Sequence, residues 1–265
     1  MVSPAMRDPA TSDDTAEQSP GSRWFGYRRV APAEKPALVR EVFESVAGRY
    51  DLMNDLMSGG IHRLWKREMV DWLRPKAGST VLDVAGGTGD IAFRIAERLA
   101  GSGRVIVVDA TPAMLEVGRD RMIDRGLLSG IEWVAGQAER LPVASASAEA
   151  YTIGFGIRNV TDLDRALAEA RRVLKPGGRF LCLEFSRVVL PLLDRLYDLY
   201  SFAVLPLLGQ VVAGDAASYR YLAESIRTFP AQEEFAQRIR AAGFEQVRWR
   251  NLTGGVAALH SGWRL

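Results

Sequence analysis

An α/β fold with a seven-stranded, mostly parallel sheet is predicted by three features of the chain. Strand-like apolar runs alternate with helical patterns between about residues 80 and 185, the order that builds parallel sheets covered by helices on both faces. The first run, Ser-Thr-Val-Leu-Asp-Val at 79–84, passes through Ala-Gly-Gly-Thr-Gly-Asp at 85–90 into a helix. A buried strand does this where its backbone must turn tightly toward a ligand. The last two runs, near 245–252 and 256–264, are joined only by Thr253, Gly254 and Gly255, so they close the sheet as an antiparallel hairpin.

Residues 1–22 are rich in Ser, Pro, Ala, Asp and Glu and nearly free of large apolar side chains, which predicts a disordered tail. Asp8, Asp13, Asp14 and Glu17 argue against a transit peptide, and no apolar run there suits a secretory signal. Residues 23–265 read as one domain. Its opening, 23–75, is predicted to be a helical cap. Leu38, Val42, Val46 and Tyr50 recur every fourth position, and a second helical pattern from Ile61 to Leu73 stops at Pro75. Strands are expected at 80–85, 104–109, 131–136, 149–155 and 179–185, with helices at 90–100, 112–126 and 162–174 between them. Thr161 and Asp162 are N-cap candidates for the last of these helices, and Lys175-Pro176-Gly177-Gly178 closes it. Residues 187–228 read as a long, mostly helical insertion in which Leu190, Leu193, Tyr197 and Tyr200 share a face. A further helix at 230–242 ends at Gly243.

Composition narrows the class. At 265 residues, 48% hydrophobic and 25% charged, the chain is ordinary for a soluble globular protein. A net charge of +2 without a basic block gives no electrostatic case for nucleic acid. Cys182 is the only cysteine, which excludes an intrachain disulfide and a cysteine-built zinc site and fits a reducing, cytoplasmic location. His62 and His260 are too few for a histidine-rich metal centre. The greasiest stretch, 188–212, contains Asp194, Arg195, Asp198 and two prolines, short of the ~20 apolar residues of a spanning helix.

The glycine corner suits a nucleoside-bearing cofactor. Asp109, followed by Ala110, ends a strand roughly 20 residues beyond the glycines, where a ribose diol lies in a Rossmann-like site. A helix-capping role for Asp109 through Thr111 and Pro112 is the competing reading. Gln137-Ala138-Glu139, after the third strand, either reads an adenine edge or forms a polar surface turn. The corner itself is Gly86-Gly87-Thr88-Gly89, not the G-x-G-x-x-G of dinucleotide sites, which disfavours a nicotinamide cofactor. Asp83, inside the strand end, would repel a pyrophosphate but suits a cationic amino-acid group. With the terminal hairpin, these details point to S-adenosyl-L-methionine and to the outline of class I methyltransferases. Thr88 and Asp90 equally suit capping of the helix that starts there.

Two stretches carry a resemblance. One is Tyr50-Asp51-Leu52-Met53-Asn54-Asp55-Leu56-Met57-Ser58, continuing to His62 and Trp65; the other runs from Arg172-Val173-Leu174-Lys175-Pro176-Gly177-Gly178 to Glu184-Phe185-Ser186. Together with Phe155-Gly156-Ile157-Arg158-Asn159-Val160, they make the chain similar to the ubiquinone/menaquinone biosynthesis C-methyltransferase family from about residue 25 onward. The resemblance implies methylation of a ring carbon of a polyprenylated benzoquinol or demethylmenaquinol. It places cofactor contacts on Thr88, Asp109 and the Gln137-Ala138 pair. It also puts a serine where this chain has Gly154, so that contact must be lost or replaced, and Asp or Asn where this chain has Gln137.

A quinol carbon becomes nucleophilic when a neighbouring hydroxyl loses its proton, so the site needs a proton acceptor and a group that stabilises the quinolate. Arg158 is the expected electrostatic partner, with a structural ion pair as its alternative. Asn159 would orient the ring oxygen, and Asp90 is the carboxylate candidate for the proton. Arg158 cannot be the base alone, since it stays charged. Tyr50, Met53, Met57, Tyr197 and Tyr200 are the candidate substrate-binding residues, whereas Trp65 and His62 fit packing better. The 187–228 insertion would cover a polyprenyl tail, or else form a self-buried helical pair. A tail delivered from the bilayer entails peripheral contact at the inner face of the membrane. A homodimer, a quinone-biosynthesis complex, a methyltransferase of oxygen or nitrogen on another apolar acceptor, and a non-catalytic subunit all stay open.

Overall fold

The computed structural model describes residues 23–127, 129–189 and 216–265. The predicted tail and residues 190–215 of the predicted insertion, with Tyr197 and Tyr200, lie outside them. The described chain opens on a small antiparallel hairpin, β1 (Arg23–Phe25) and β2 (Arg28–Val30), turned at Gly26 with φ 59°. A wholly helical opening is therefore corrected. Strands of three residues each are too short to display an alternation, and their arginines mask the two aromatics between them. Helices α1 (Lys35–Val46), α2 (Tyr50–Ser58) and α3 (His62–Leu73) follow. Pro36 sits in the first turn of α1, where a missing N–H has no partner to lose.

The alternating region then runs β3 (Thr80–Val84), α4 (Asp90–Leu99), β4 (Arg104–Asp109), α5 (Pro112–Asp124), β5 (Ile131–Ala135), β6 (Ala148–Gly154), α6 (Leu163–Val173) and β7 (Leu174–Phe185). Beyond the undescribed residues come α7 (Ala216–Thr228), α8 (Gln232–Ala241), β8 (Glu245–Leu252) and β9 (Ala257–Arg264). The seven strands from β3 onward form one sheet in the order β5-β4-β3-β6-β7-β9-β8, parallel except that β9 runs antiparallel to both its neighbours.

Alternate strand residues feed two cores. Val81, Val107 and Leu181 pack with Met69, Phe93 and Leu115 from α3, α4 and α5. Leu82, Val108 and Phe180 pack with Leu167, Phe235 and Ile239 from α6 and α8. Burial on both faces is why these strands read as continuous apolar runs. Asp162 caps α6, its side chain accepting from the Arg165 amide at 3.1 Å. Strand β7 begins earlier than expected: Ala148 pairs with Leu174 and Ala150 with Arg179, so Lys175–Gly178 bulges out of the ladder. Gly177, at φ 76°, permits that excursion.

From β3 the chain steps outward to β4 and β5, then returns to lay β6 on the other side of β3. The crevice beyond the carboxyl ends of β3 and β6 is thus the topological switch point, where sheets of this kind bind ligands.

Packing across this half of the sheet is tight at one glycine. A Cβ on Gly118 of α5 would overlap the indole of Trp133 on β5. Gly118→Ala should destabilise the protein by about 1–3 kcal/mol, measured by urea unfolding, even though alanine is the better helix former.

Candidate active site

A cavity of about 380 Å³ occupies that switch point. Its floor is made by Ala85 and Gly87 after β3, Asp109 and Ala110 at β4, Gln137 and Ala138 after β5, and Phe155, Gly156 and Asn159 after β6. Its roof is α1, through Pro36, Val39, Arg40 and Phe43, with Arg23 of β1 at one side. Two hydrogen bonds tie this roof down: Arg23 Nε donates to the Thr161 carbonyl at 3.0 Å, and Lys35 Nζ to the Val160 carbonyl at 2.7 Å.

The floor is strained. Ala85 (φ 49°) and Phe155 (φ 58°) both take the left-handed conformation immediately after neighbouring strands. Each such turn costs a non-glycine residue on the order of 1–3 kcal/mol. The two turns lock together, because a Cβ on Gly156 would overlap that of Ala85. A Cβ on Gly86 would stand 2.8 Å from Val107 and 2.9 Å from the Asp83 carbonyl. Gly89, at φ 82°, presses against Trp133 and starts α4. The corner is glycine because backbone is the only thing that fits.

Asp109 does not cap α5, whose N-cap residue Thr111 has no side-chain cap bond; it braces the turn before the helix. Its Oδ1 accepts from the Thr111 amide and its Oδ2 from the Gly87 amide, each at 2.9 Å, while the residue also lines the cavity. A carboxylate retains lone pairs beyond these two bonds, so a vicinal diol can still be held. Burial pushes its pKa above the ordinary carboxylate range, against the opposing pull of those amides.

Gly87, Asp109, Ala110, Gln137 and Ala138 therefore reach the cavity, as expected for cofactor residues, whereas Asp83, Gly86, Thr88, Gly89 and Gly154 are not among its walls. Thr88 is buried and its Oγ1 accepts from Arg121 Nη1 of α5 at 2.9 Å. At Gly154 the space for a side chain is taken by the Cδ1 methyl of Ile91 from α4, which is where the serine of the resemblance would project. Asp83 is fully buried; its Oδ1 accepts from Thr152 Oγ1 at 2.8 Å and its Oδ2 has no partner. Burial raises its pKa to about 7, opposed by the Thr152 bond and the Lys66 ammonium.

Two of the catalytic expectations change. Asp90 is paired with Lys66 at 2.9 Å and with Arg94 at 3.2 Å. Burial works to raise its pKa, yet Lys66 and Arg94 hold it below the usual range. A carboxylate so engaged, and outside the cavity walls, is poorly suited to take a proton. Arg158 turns away from the cavity and lines a neighbouring one of about 370 Å³. Its Nη1 lies 2.6 Å from Glu184 Oε1 and donates to the Phe155 carbonyl at 2.7 Å, with side chains 3% and 1% exposed. The alternative of a structural ion pair is what the geometry supports. Asn159, by contrast, does face the cavity. Of the substrate candidates, Tyr50, Met53 and Met57 lie on α2. His62 is buried with its Nε2 2.9 Å from Asp55, and Trp65 packs on Phe155 and Phe185 while donating to Thr253.

Sequence reasoning missed Lys66, Glu184 and Tyr221. Only Glu184 left a signal, as a carboxylate inside the apolar run Phe180 to Phe185. Among the described residues no cluster of metal-binding side chains is present. The cavity fits S-adenosyl-L-methionine: bare backbone at Gly87, a carboxylate at Asp109 suited to a ribose diol, and the Gln137 amide suited to an adenine edge.

Fold and cavity together define a class I methyltransferase architecture. Solved structures agree in fold: a SAM-dependent methyltransferase of Thermotoga maritima matches with a TM-score of 0.60 at 22% identity, covering 86% of this chain and all of that one. The [4+2]-cyclase SpnF matches at 0.63 and 16% identity, over 85% and 94% of the two chains. Residues 30–264 match the model of the ubiE/COQ5 methyltransferase family, and the chain belongs to that family. It is 58% identical over 243 residues to the ubiquinone/menaquinone biosynthesis C-methyltransferase UbiE of Brucella anthropi, covering 91% of this chain and 92% of that protein. The UbiE of Brucella abortus is equally similar, at 58% over 243 residues.

Two predictions come from the buried charges. Glu184→Ala leaves the Arg158 guanidinium buried and unpaired, and should cost about 3–5 kcal/mol in urea unfolding, more than replacing both partners by apolar residues. Asp83, with a folded pKa of about 7 against an ordinary 3.8, is favoured by folding in its protonated form. That stabilisation is fully present below about pH 4 and is lost as pH rises through 7. Asp83→Asn should therefore gain in stability relative to the wild type between pH 5 and pH 8, read from paired melting curves without ligand.

Proposed function

We propose that this chain methylates a ring carbon of a polyprenylated quinol, using S-adenosyl-L-methionine, in ubiquinone and menaquinone biosynthesis. The observation that carries the reading is 58% identity along 91% of the chain to the UbiE C-methyltransferases, combined with a cavity walled by five of the ten cofactor candidates, Gly87, Asp109, Ala110, Gln137 and Ala138. S-adenosyl-L-methionine, when bound, supplies a methyl group on a positively charged sulfur.

The protein's work is holding and desolvating. Asp109 accepts from the ribose hydroxyls, Gln137 and the Ala138 backbone meet the adenine edge, and the backbone at Ala85 and Gly87 lets the rest of the molecule approach closely, with Gly86 and Gly89 shaping that turn from behind. Thr88, Gly154 and Asp83 act from behind those walls, Asp83 as a buried acceptor for a cationic amino group. The roof of α1 excludes water, which strengthens each polar contact inside. Asn159 faces the acceptor ring and stabilises the oxygen, whose proton passes to a water molecule; the methylated carbon then releases its own hydrogen as a proton to water. Arg158, paired with Glu184, is a positioning residue: it ties the Phe155 carbonyl and so sets the turn that presents Asn159. Asp90 serves the fold through Lys66.

Tyr50, Met53 and Met57 of α2, with Tyr197 and Tyr200, remain the candidates for binding the quinol and its isoprenoid tail. Among the described residues no helix is long and apolar enough to cross a membrane. Leu52, Ile61 and Leu64 are exposed on or beside α2 and α3 next to Arg63, a surface suited to peripheral contact with anionic lipid.

The purified protein should convert short-tailed demethylmenaquinol or methoxy-benzoquinol analogues to products one methyl group heavier, scored by mass spectrometry. Asp109→Asn should weaken S-adenosylhomocysteine binding about tenfold or more by calorimetry, the equivalent of one charge-assisted hydrogen bond. Methylation at oxygen or nitrogen in place of carbon would refute the assignment.

A further inference from the structure

Helix α7 grips both residues of the Arg158-Asn159 pair. Tyr221 and Ser225, four positions apart and so on one face, reach them separately. Ser225 Oγ accepts from Arg158 Nε at 3.2 Å, and the Tyr221 hydroxyl lies 2.9 Å from Asn159 Oδ1. Asn159 is 8% exposed and lines the cavity, while its Nδ2 is buried without a hydrogen-bond partner. A buried amide donor without a partner is unfavourable, and the open side of Asn159 is the cavity, so an acceptor arriving with the ligand suits it.

The orientation of the amide follows from counting partners. Tyr221 donates to no other acceptor among the described residues. With Oδ1 toward Tyr221, the hydroxyl proton is satisfied and only Nδ2 waits. Flipped, the amide would leave both the hydroxyl proton and Oδ1 without partners, the worse arrangement. Tyr221 is itself clamped: the Phe25 ring of β1 stacks on it at 4.2 Å and 21°. Burial lifts its pKa well above 10, so it stays a donor throughout the working pH range.

We infer that Tyr221 is a positioning residue for methyl transfer, locking the Asn159 carboxamide so that Nδ2 donates to the deprotonating oxygen of the acceptor ring. The inference rests on the quinol reading and adds to it a specificity rule: the acceptor must present an oxygen able to carry negative charge beside the carbon that is methylated. A donor at that oxygen lowers its pKa in the complex. Removing the lock lets the amide rotate and the donor is lost.

The test is the pH profile of kcat for a short-tailed quinol with wild type, Tyr221→Phe and Asn159→Leu. In Tyr221→Phe the acid limb should move up by about one pH unit, with kcat about tenfold lower below it. S-adenosylhomocysteine affinity by calorimetry should stay within about twofold, because neither side chain serves the nucleoside end. Asn159→Leu deletes the same donor while keeping every residue of α7, and should reproduce the shift, which keeps the test decisive if Tyr221→Phe folds poorly. An active wild type with an unmoved acid limb in both variants overturns the inference alone. Loss of S-adenosylhomocysteine binding in step with activity overturns it too, by showing a merely structural role. A wild type that methylates no quinol fails the functional reading, and this inference with it.

Discussion

The structure depends on one steric constraint, the interlock of two left-handed turns at the ends of adjacent parallel strands. Ala85 after β3 and Phe155 after β6 both leave the allowed region of ordinary residues, and Gly156 fits only because it has no side chain to meet Ala85. Each turn diverts its strand away from the sheet axis, which opens the crevice at the reversal of strand order. The Asp109 carboxylate then bridges the Gly87 and Thr111 amides across that opening. Without the interlock there would be a sheet but no concave floor.

Charge is distributed around this floor in a consistent manner. The cavity walls carry few committed ion pairs, while buried or partly buried charged groups stand just behind: Lys66 with the partly exposed Asp90, Arg158 with Glu184, and Asp83 hydrogen-bonded to Thr152. Buried pairs of this kind add little net stability compared with apolar packing. Their contribution here is geometric. Each fixes a strand end or helix start, Arg158 and Glu184 the turn after β6, Lys66 and Asp90 the first turn of α4. The groups that meet ligand are thus held by groups that do not.

Legibility in the sequence followed burial. The runs at 80–84 and 104–109 could be read because both faces of those strands are covered, and the terminal hairpin because only three residues link its strands. The cavity floor was legible in part: Gly87 and Asp109 stand at fixed offsets from strand ends, and both line it. Side-chain partnership across distant segments was not legible. Nothing near Arg158 in sequence shows that Glu184, 26 residues on, neutralises it, or that Tyr221, 62 residues beyond Asn159, holds the amide. The bulge at Lys175–Gly178 was read as a helix stop because the same glycines suit either role.

The Ile91 methyl that fills the space beside Gly154 has an evolutionary consequence. A larger residue at 154 collides with Ile91, and a smaller one at 91 opposite glycine opens a hole. The two sites therefore form an epistatic unit, each fixing which replacements the other tolerates. A hydroxyl-bearing side chain at 154 therefore requires a trimmed or rotated side chain at 91, so volume constrains the pair before any ligand contact does.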